Sequence, residues 1–444
     1  MLSDDKMILA HSGDCYDQFL GSIAPPIFLS SLFRCKNLEE YGFSTPGKHI
    51  YSRYSNPDVS ILEQKVAELE HGKYCLAYAN GMAAASAALL ANAKVGGHIV
   101  CVHNAYNCIH EILENFLKPV MQMRYTFVHG YDTQELLAAI QENTCLIILE
   151  SPGSDTFTLV DLKAVTAYAK AHDIATYIDN TYCTPLYQKP LELGVDIVMH
   201  TATKYMGGHS DVLGGMLITN DDAAYSRLKQ LRNLFGGITA PMEAWLILRG
   251  LRTMKVRLDE HQRTALQIAQ ALEKDPRVRR VYYPGLESYP QKALRDAQQS
   301  GSCGLLSFEI NGTVEQARSV VERLKIFSFG PSWGGFESLV MMPLYFKTDE
   351  YTKWYGASRG LIRIHCGLEG TEPLLDDLRQ ALSVLDEGGK LESSFPLRRP
   401  AHESGTADRT HDRFEFCVHV DLSADLHDRC LRSRIVRRYV QAVG

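Results

Sequence analysis

The stretch Asp196-Ile-Val-Met-His200-Thr-Ala-Thr-Lys204-Tyr-Met-Gly-Gly-His-Ser-Asp211 decides how this chain is read. Its first five residues are a short apolar segment with the length of a buried strand. Lys204 follows that strand's end, with two threonines before it and two glycines close behind. An amine so placed can lose its proton by desolvation and still move between two partners, as a Schiff-base lysine must.

Outward from Lys204 the pattern alternates. Ile99–Val102, Cys145–Leu149, Ala175–Ile178, Ile197–Met199 and Gly215–Ile218 read as strands, with helices at 82–91 and 162–171 between them. That alternation predicts a mostly parallel sheet covered on both faces, an α/β fold. A helix is expected after Asn56, with Pro57 at its first position, a Val59, Leu62, Val66 and Leu69 stripe, and Gly72 as its stop. Residues 1–50 read as an irregular arm and 51–250 as a large domain. A long helical stretch over 241–272 leads into a smaller C-terminal α/β domain over 251–390. Its strands are expected at 278–283, 304–310, 338–342 and 361–366, with helices near 314–324 and 373–386. Residues 391–444 contain no lysine and no sustained apolar period, and read as a tail without an assignable role.

Composition narrows the function classes. The chain has 444 residues, 45% apolar and 22% charged, which is the balance of a globular protein. A formal net charge of −6 offers no basic face for a nucleic-acid partner. No apolar run approaches a membrane span, and the first residues lack a secretory signal's basic and apolar regions. Eleven cysteines without a Cys-x-x-Cys pair suggest reduced thiols in a cytoplasm, with no metal site.

Ligands of an open parallel sheet sit beyond the carboxyl ends of its strands. Asp179 closes one such strand and could pair with a protonated pyridine nitrogen, which keeps pyridoxal phosphate an effective electron sink. Asn80-Gly81-Met82 opens a small-residue helix whose N–H groups and dipole suit an anion. Thr201 and Thr203 could add hydroxyls to the same phosphate, and Arg53 a formal cation. Tyr106, just past the strand at 99–102, could stack on the cofactor ring.

These residues, with Tyr51-Ser-Arg53, Asn56-Pro57, Glu150-Ser-Pro152, Asp179-Asn-Thr181, Ala202-Thr-Lys-Tyr205, Gly208-His-Ser-Asp211 and Gly250-Leu-Arg-Thr253, resemble the Cys/Met-metabolism pyridoxal-phosphate enzymes. The resemblance runs from about residue 10 to 387. It implies the aminotransferase-like type I fold, a homotetramer built from dimers, and a small sulfur amino acid as substrate. It implies Lys204 as the cofactor's covalent anchor, Asp179 on the pyridine nitrogen, and Gly81, Met82, Thr201 and Thr203 on the phosphate. Tyr51 and Arg53 would then reach a neighbouring subunit's site. Arg363 matches the family's anchor for the substrate carboxylate, with Ser332 and Trp333 nearby.

Within that family, Glu150-Ser-Pro-Gly-Ser-Asp-Thr-Phe157 and Ser332-Trp-Gly-Gly-Phe-Glu-Ser-Leu339 resemble the bacterial cystathionine β-lyase type. Ser154 stands where most relatives carry an asparagine against the cofactor's ring oxygen. Pro331 stands where γ-synthases and cystathionine γ-lyases often carry a glutamate. Tyr51-Ser-Arg-Tyr-Ser-Asn-Pro57 and Asn80-Gly-Met82 look more like the γ-lyase branch, and Cys108 falls where methionine γ-lyases carry a cysteine. The expected activity is a carbon–sulfur lyase of the β-eliminating type. The alternatives are a γ-lyase, a γ-replacing synthase, or a non-catalytic protein on the same scaffold.

Overall fold

The computed structural model describes residues 4–41 and 48–386; the segment read as a tail, 391–444, lies outside them. Seven strands form the larger sheet: β1 (Tyr74–Tyr78), β2 (His98–Val102), β3 (Arg124–Val128), β4 (Thr144–Glu150), β5 (Ala175–Asp179), β6 (Ile197–Thr201) and β7 (Gly215–Thr219). They lie in the order β1-β7-β6-β5-β4-β2-β3. β7 runs antiparallel to both its neighbours, and the remaining pairings are parallel. The carboxyl ends of β2, β4, β5 and β6 therefore share one edge, and the chain enters β7 at that same edge.

The five expected strands in this region are all present. Two more, β1 and β3, occupy the sheet's borders. The apolar alternation of β3 is weak because it has one sheet neighbour and only Val128 is fully buried. Asn56 caps the helix Pro57–Leu69 by accepting the Asp58 N–H at 3.0 Å, a contact worth about 1 kcal/mol.

A second sheet contains β8 (Val278–Tyr282), β9 (Leu305–Ile310), β10 (Ser328–Phe329), β11 (Leu339–Met341) and β12 (Ile362–His365), in the order β10-β11-β12-β9-β8. Its core is built on Leu306, Phe308, Ile362 and Ile364 with Ile268, Leu374 and Leu378 from the covering helices. The larger core gathers the inner faces of β1 to β7.

Two local expectations need correction. The arm is not irregular throughout, because Asp5–His11 is helical. Asp4 caps it, and Ile8 and Leu9 are buried against the rest of the chain. The stretch 241–272 is two helices, Pro241–Arg252 and Met254–Lys274, broken at Thr253. There the Gly250 carbonyl accepts from the Thr253 hydroxyl at 3.2 Å and from Arg257 Nη2 at 2.7 Å. Those bonds satisfy a carbonyl that the regular helical ladder no longer serves.

Candidate active site

Lys204 sits in a tight loop between β6 and β7. The Ala202 N–H donates to the Gly214 carbonyl at 2.8 Å, and the Gly208 N–H to the Lys204 carbonyl at 2.8 Å. Gly208 serves close packing and not mobility. Its φ is +68°, and a Cβ there would come within 1.9 Å of Arg257 Nη1. Next to Lys204, the buried Tyr205 hydroxyl accepts the Gly304 N–H at 2.9 Å, fastening the loop to the start of β9.

The backbone under Lys204 is thus fixed, and only its side chain is left to move. Its Nζ donates to Ser332 Oγ at 2.8 Å and lies 5.2 Å from the centre of the Trp333 ring. Burial and the nearby Arg363 guanidinium lower its pKa to about 8, against a smaller opposing pull from Asp179. A lowered folded value means that the unfolded chain binds more protons between about pH 8 and 10.5, so stability rises with pH across that window. Lys204→Met is expected to stabilise the cofactor-free protein at pH 7 by about 3 kcal/mol, and by much less above pH 10. Urea titrations at the two pH values check this.

Asp179 ends β5 directly beside Glu150, which ends β4. Asp179 Oδ1 accepts the Thr181 N–H at 2.9 Å and the Thr181 hydroxyl at 2.5 Å. Burial raises its pKa, and the Thr181 bonds oppose that rise. Glu150 is raised further, by its own burial and then by the charge of Asp179. Two carboxyl groups in one dry site cannot both ionise cheaply, so each opposes the other's charge and Glu150 is pushed up the more strongly. Glu150 accepts the Tyr106 N–H at 2.8 Å and the Ser154 hydroxyl. It is a site residue that sequence reasoning quoted only within a motif. The available signal was two acids at adjacent strand ends.

The anion cradle has a direct observation behind it. Asn80 caps the helix Gly81–Asn92 by accepting the Ala83 N–H at 2.8 Å, and the first-turn N–H groups of Gly81 and Met82 have no carbonyl of their own helix to bond. A Cβ on Gly81 would stand 2.9 Å from Thr201 Oγ1, so the glycine keeps open the space between the helix start and the β6 end. Thr201 Oγ1 donates to the Gly214 carbonyl at 3.3 Å, and Thr203 Oγ1 accepts the Gly214 N–H at 3.3 Å. A phosphate monoester on this cradle, a low-pKa amine and a buried carboxylate together fit pyridoxal phosphate. Gly81→Val is expected to weaken cofactor binding about a hundredfold by filling the cradle, as read by fluorescence titration.

The remaining expected residues divide into two groups. Arg363, on β12, is 9% exposed, and its Nη1 donates to Asp155 Oδ1 at 2.9 Å and to the Ser154 carbonyl at 3.3 Å. Ser154 turns its hydroxyl to Glu150. Tyr106 is half exposed at the start of the helix Asn107–Ile112, and Cys108 is half-buried two residues on. Tyr51 and Arg53 stand elsewhere. Arg53 donates to the Asn233 carbonyl at 2.6 Å and to the Tyr54 hydroxyl at 2.9 Å, and lies over the Tyr54 ring.

Comparison with known proteins adds named relatives. The chain is 36% identical over 380 residues to a cystathionine beta-lyase of Coxiella burnetii, covering 84% of this chain and 96% of that one. It is 37% identical over 374 residues to an L-methionine gamma-lyase of Pseudomonas deceptionensis (82% and 94%), and 37% identical over 383 residues to the human cystathionine gamma-lyase (84% and 92%). The crystal structure of metB from Corynebacterium glutamicum superimposes with a TM-score of 0.81 at 34% identity, over 86% of this chain and 99% of that one. The family profile described as Cys/Met metabolism PLP-dependent enzyme matches residues 6–383. With that match spanning both sheets and every residue of the site, the chain belongs to the Cys/Met-metabolism family of pyridoxal-phosphate-dependent enzymes.

Proposed function

We propose that this protein is a cytoplasmic carbon–sulfur lyase of sulfur amino-acid metabolism, of the cystathionine β-lyase type. The observation that carries the reading is the Lys204 amine, hydrogen-bonded to Ser332, 5.2 Å from the Trp333 ring, and pushed down to about 8 by burial and the Arg363 charge. Such an amine is a competent base near neutrality. Bound pyridoxal phosphate supplies an electron sink for the pair left on the substrate's Cα.

This chain's own residues do the rest. Arg363 holds the substrate α-carboxylate, and Lys204 Nζ takes the Cα proton. The Cβ–S bond then breaks, and sulfur leaves as a thiolate. Tyr106 orients the amine and faces the departing sulfur. Asp179 would pair with the cofactor's ring nitrogen, with Glu150 beside it at the end of the neighbouring strand. Gly81, Met82, Thr201 and Thr203 hold the phosphate. Cystathionine and water yield homocysteine, pyruvate and ammonia.

Removal of one proton, from Cα, suffices for this reaction, whereas γ-elimination needs a second proton taken from Cβ. Pro331 brings no carboxylate to the rim beside Ser332. A γ-lyase is the second reading, since relatives of both names match at similar identity. Incubation with L-cystathionine separates the two. Pyruvate with homocysteine supports β-elimination, and cysteine with 2-oxobutyrate overturns it.

The proposed assembly is a homotetramer in which Tyr51 and Arg53 complete a neighbour's phosphate site. In support, Arg53 donates to the Asn233 carbonyl and to the Tyr54 hydroxyl, and Tyr51 is exposed. Mixed and reassembled Arg53→Ala and Lys204→Ala subunits should regain part of the activity that each lacks alone.

A further inference from the structure

Arg363 is the cation expected to receive the substrate's carboxylate, yet in this chain it already has one. Its Nη1 is bound twice, to Asp155 Oδ1 at 2.9 Å and to the Ser154 carbonyl at 3.3 Å. Its Nη2 donates to the Met341 sulfur at 2.7 Å, and a thioether is a weak acceptor. Asp155 in turn has a second partner, because its Oδ2 accepts the Tyr355 hydroxyl at 3.1 Å. The side chains of Arg363 and Asp155 are 9% and 15% exposed, so water screens their attraction only partly.

The loop that carries Asp155 is fastened independently of this pair. Ser154 donates to Glu150, and the Phe157 N–H donates to the Gly153 carbonyl at 3.1 Å. Asp155 is therefore presented to Arg363 from a fixed turn, and does not swing in from solvent. A guanidinium recognises a carboxylate best through two parallel N–H bonds. Here one of the two is taken. A second carboxylate arriving beside Asp155 would also meet a like charge at close range.

We propose that Asp155 is a positioning residue for Arg363: a resident carboxylate that occupies Arg363 in the free enzyme and that the substrate's α-carboxylate must displace. This rests on the reading of Arg363 as the substrate's carboxylate anchor. The exchange leaves Asp155 on the Tyr355 hydroxyl while Arg363 turns its freed Nη1 and Nη2 to the substrate. Asp155 thereby raises KM for every α-amino carboxylate and leaves the later proton transfer to Lys204 untouched. It acts through Arg363 as a positioning residue and is not a catalytic one.

The test uses the holoenzyme, with KM and kcat for L-cystathionine and the calorimetric Kd for propionate, a carboxylate without an amine. Asp155→Asn is expected to lower both KM and the propionate Kd about tenfold, with kcat changed less than about twofold. Tyr355→Phe removes the alternative partner of Asp155 and is expected to raise KM about threefold. Damage to the loop would raise KM in both variants, so opposite signs separate release of Arg363 from disruption. If Asp155→Asn does not fold, Asp155→Ser carries the same expectation.

Arg363→Ala supplies the independent control. If it leaves KM and propionate binding unmoved, Arg363 is not the anchor and the functional reading itself is wrong at that residue. If it raises KM more than about tenfold while both Asp155 variants leave KM and the propionate Kd unmoved or higher, the anchor stands and the resident-carboxylate proposal is overturned.

Discussion

Replacing Lys204 by alanine is expected to lower kcat for thiol release at least about 10⁴-fold while the chain keeps its fold. The amine is the group placed to take the Cα proton, and Ser332 and Trp333 around it have no basic nitrogen to offer in its stead. The folded core survives because the loop is held by backbone bonds and by Tyr205, none of which uses the Lys204 side chain. Borohydride reduction followed by peptide mass analysis gives a second readout. The cofactor's mass should appear on the peptide carrying residue 204 in the wild type and nowhere in the variant. A variant that still releases thiol at more than about a hundredth of the wild-type rate would remove Lys204 from its role.

Asp179→Asn is expected to act in opposite directions on activity and stability. Activity should fall about 10²- to 10³-fold, because a charge fixed at a reacting system is replaced by a neutral amide of the same shape. The cofactor-free chain should become more stable at pH 7. Burial raises the folded pKa of Asp179 above the ordinary carboxylate value, so folding favours the protonated form. The stability that this contributes is present at low pH and is lost as pH rises through the folded value. The gain from Asn should therefore be largest at neutral pH and shrink as pH falls toward 4. Urea titrations of the cofactor-free variant at both pH values, alongside holoenzyme turnover, measure the two effects. A parallel loss of activity and stability would mark Asp179 as a structural cap and nothing more.

The lysine and the aspartate share a feature. Each is held where burial opposes its charge, so each costs the empty chain stability and gains its purpose only with a ligand present. That cost is local. Behind the site, β4, β5 and β6 are filled with Leu, Ile and Val side chains that take no part in chemistry.

How much of this was legible can be judged from particular residues. The strands β2, β4, β5, β6 and β7 declared themselves because each is buried on both faces and so reads as an apolar run. β3 did not, because an edge strand buries too little to impose a period. The break at Thr253 was hidden because both sides of it are good helix, and the Arg257 bond to the Gly250 carbonyl that accompanies it is visible only in the structure. Lys204, Asp179, Gly81 and Thr201 could be named in advance because their roles depend on residue type at a strand or helix end. Glu150 could be placed at a strand end but not beside Asp179 until the strand order was known, and Asp155 could not be named, since an acid in a loop is ordinary until its neighbours are known.

The sequence by itself determined the parallel α/β core, the lysine at the end of β6 and the family to which that lysine belongs. These follow from local periodicity and from motifs a few residues long. Only the tertiary structure decided that Asp179 and Glu150 lie side by side at the ends of adjacent strands. It also decided that Ser332 receives the Lys204 amine across 128 positions of chain, and that Asp155 occupies Arg363 across 208. Charges act through distance in space, and in this fold the distances that matter are set by strand order, which no local pattern records.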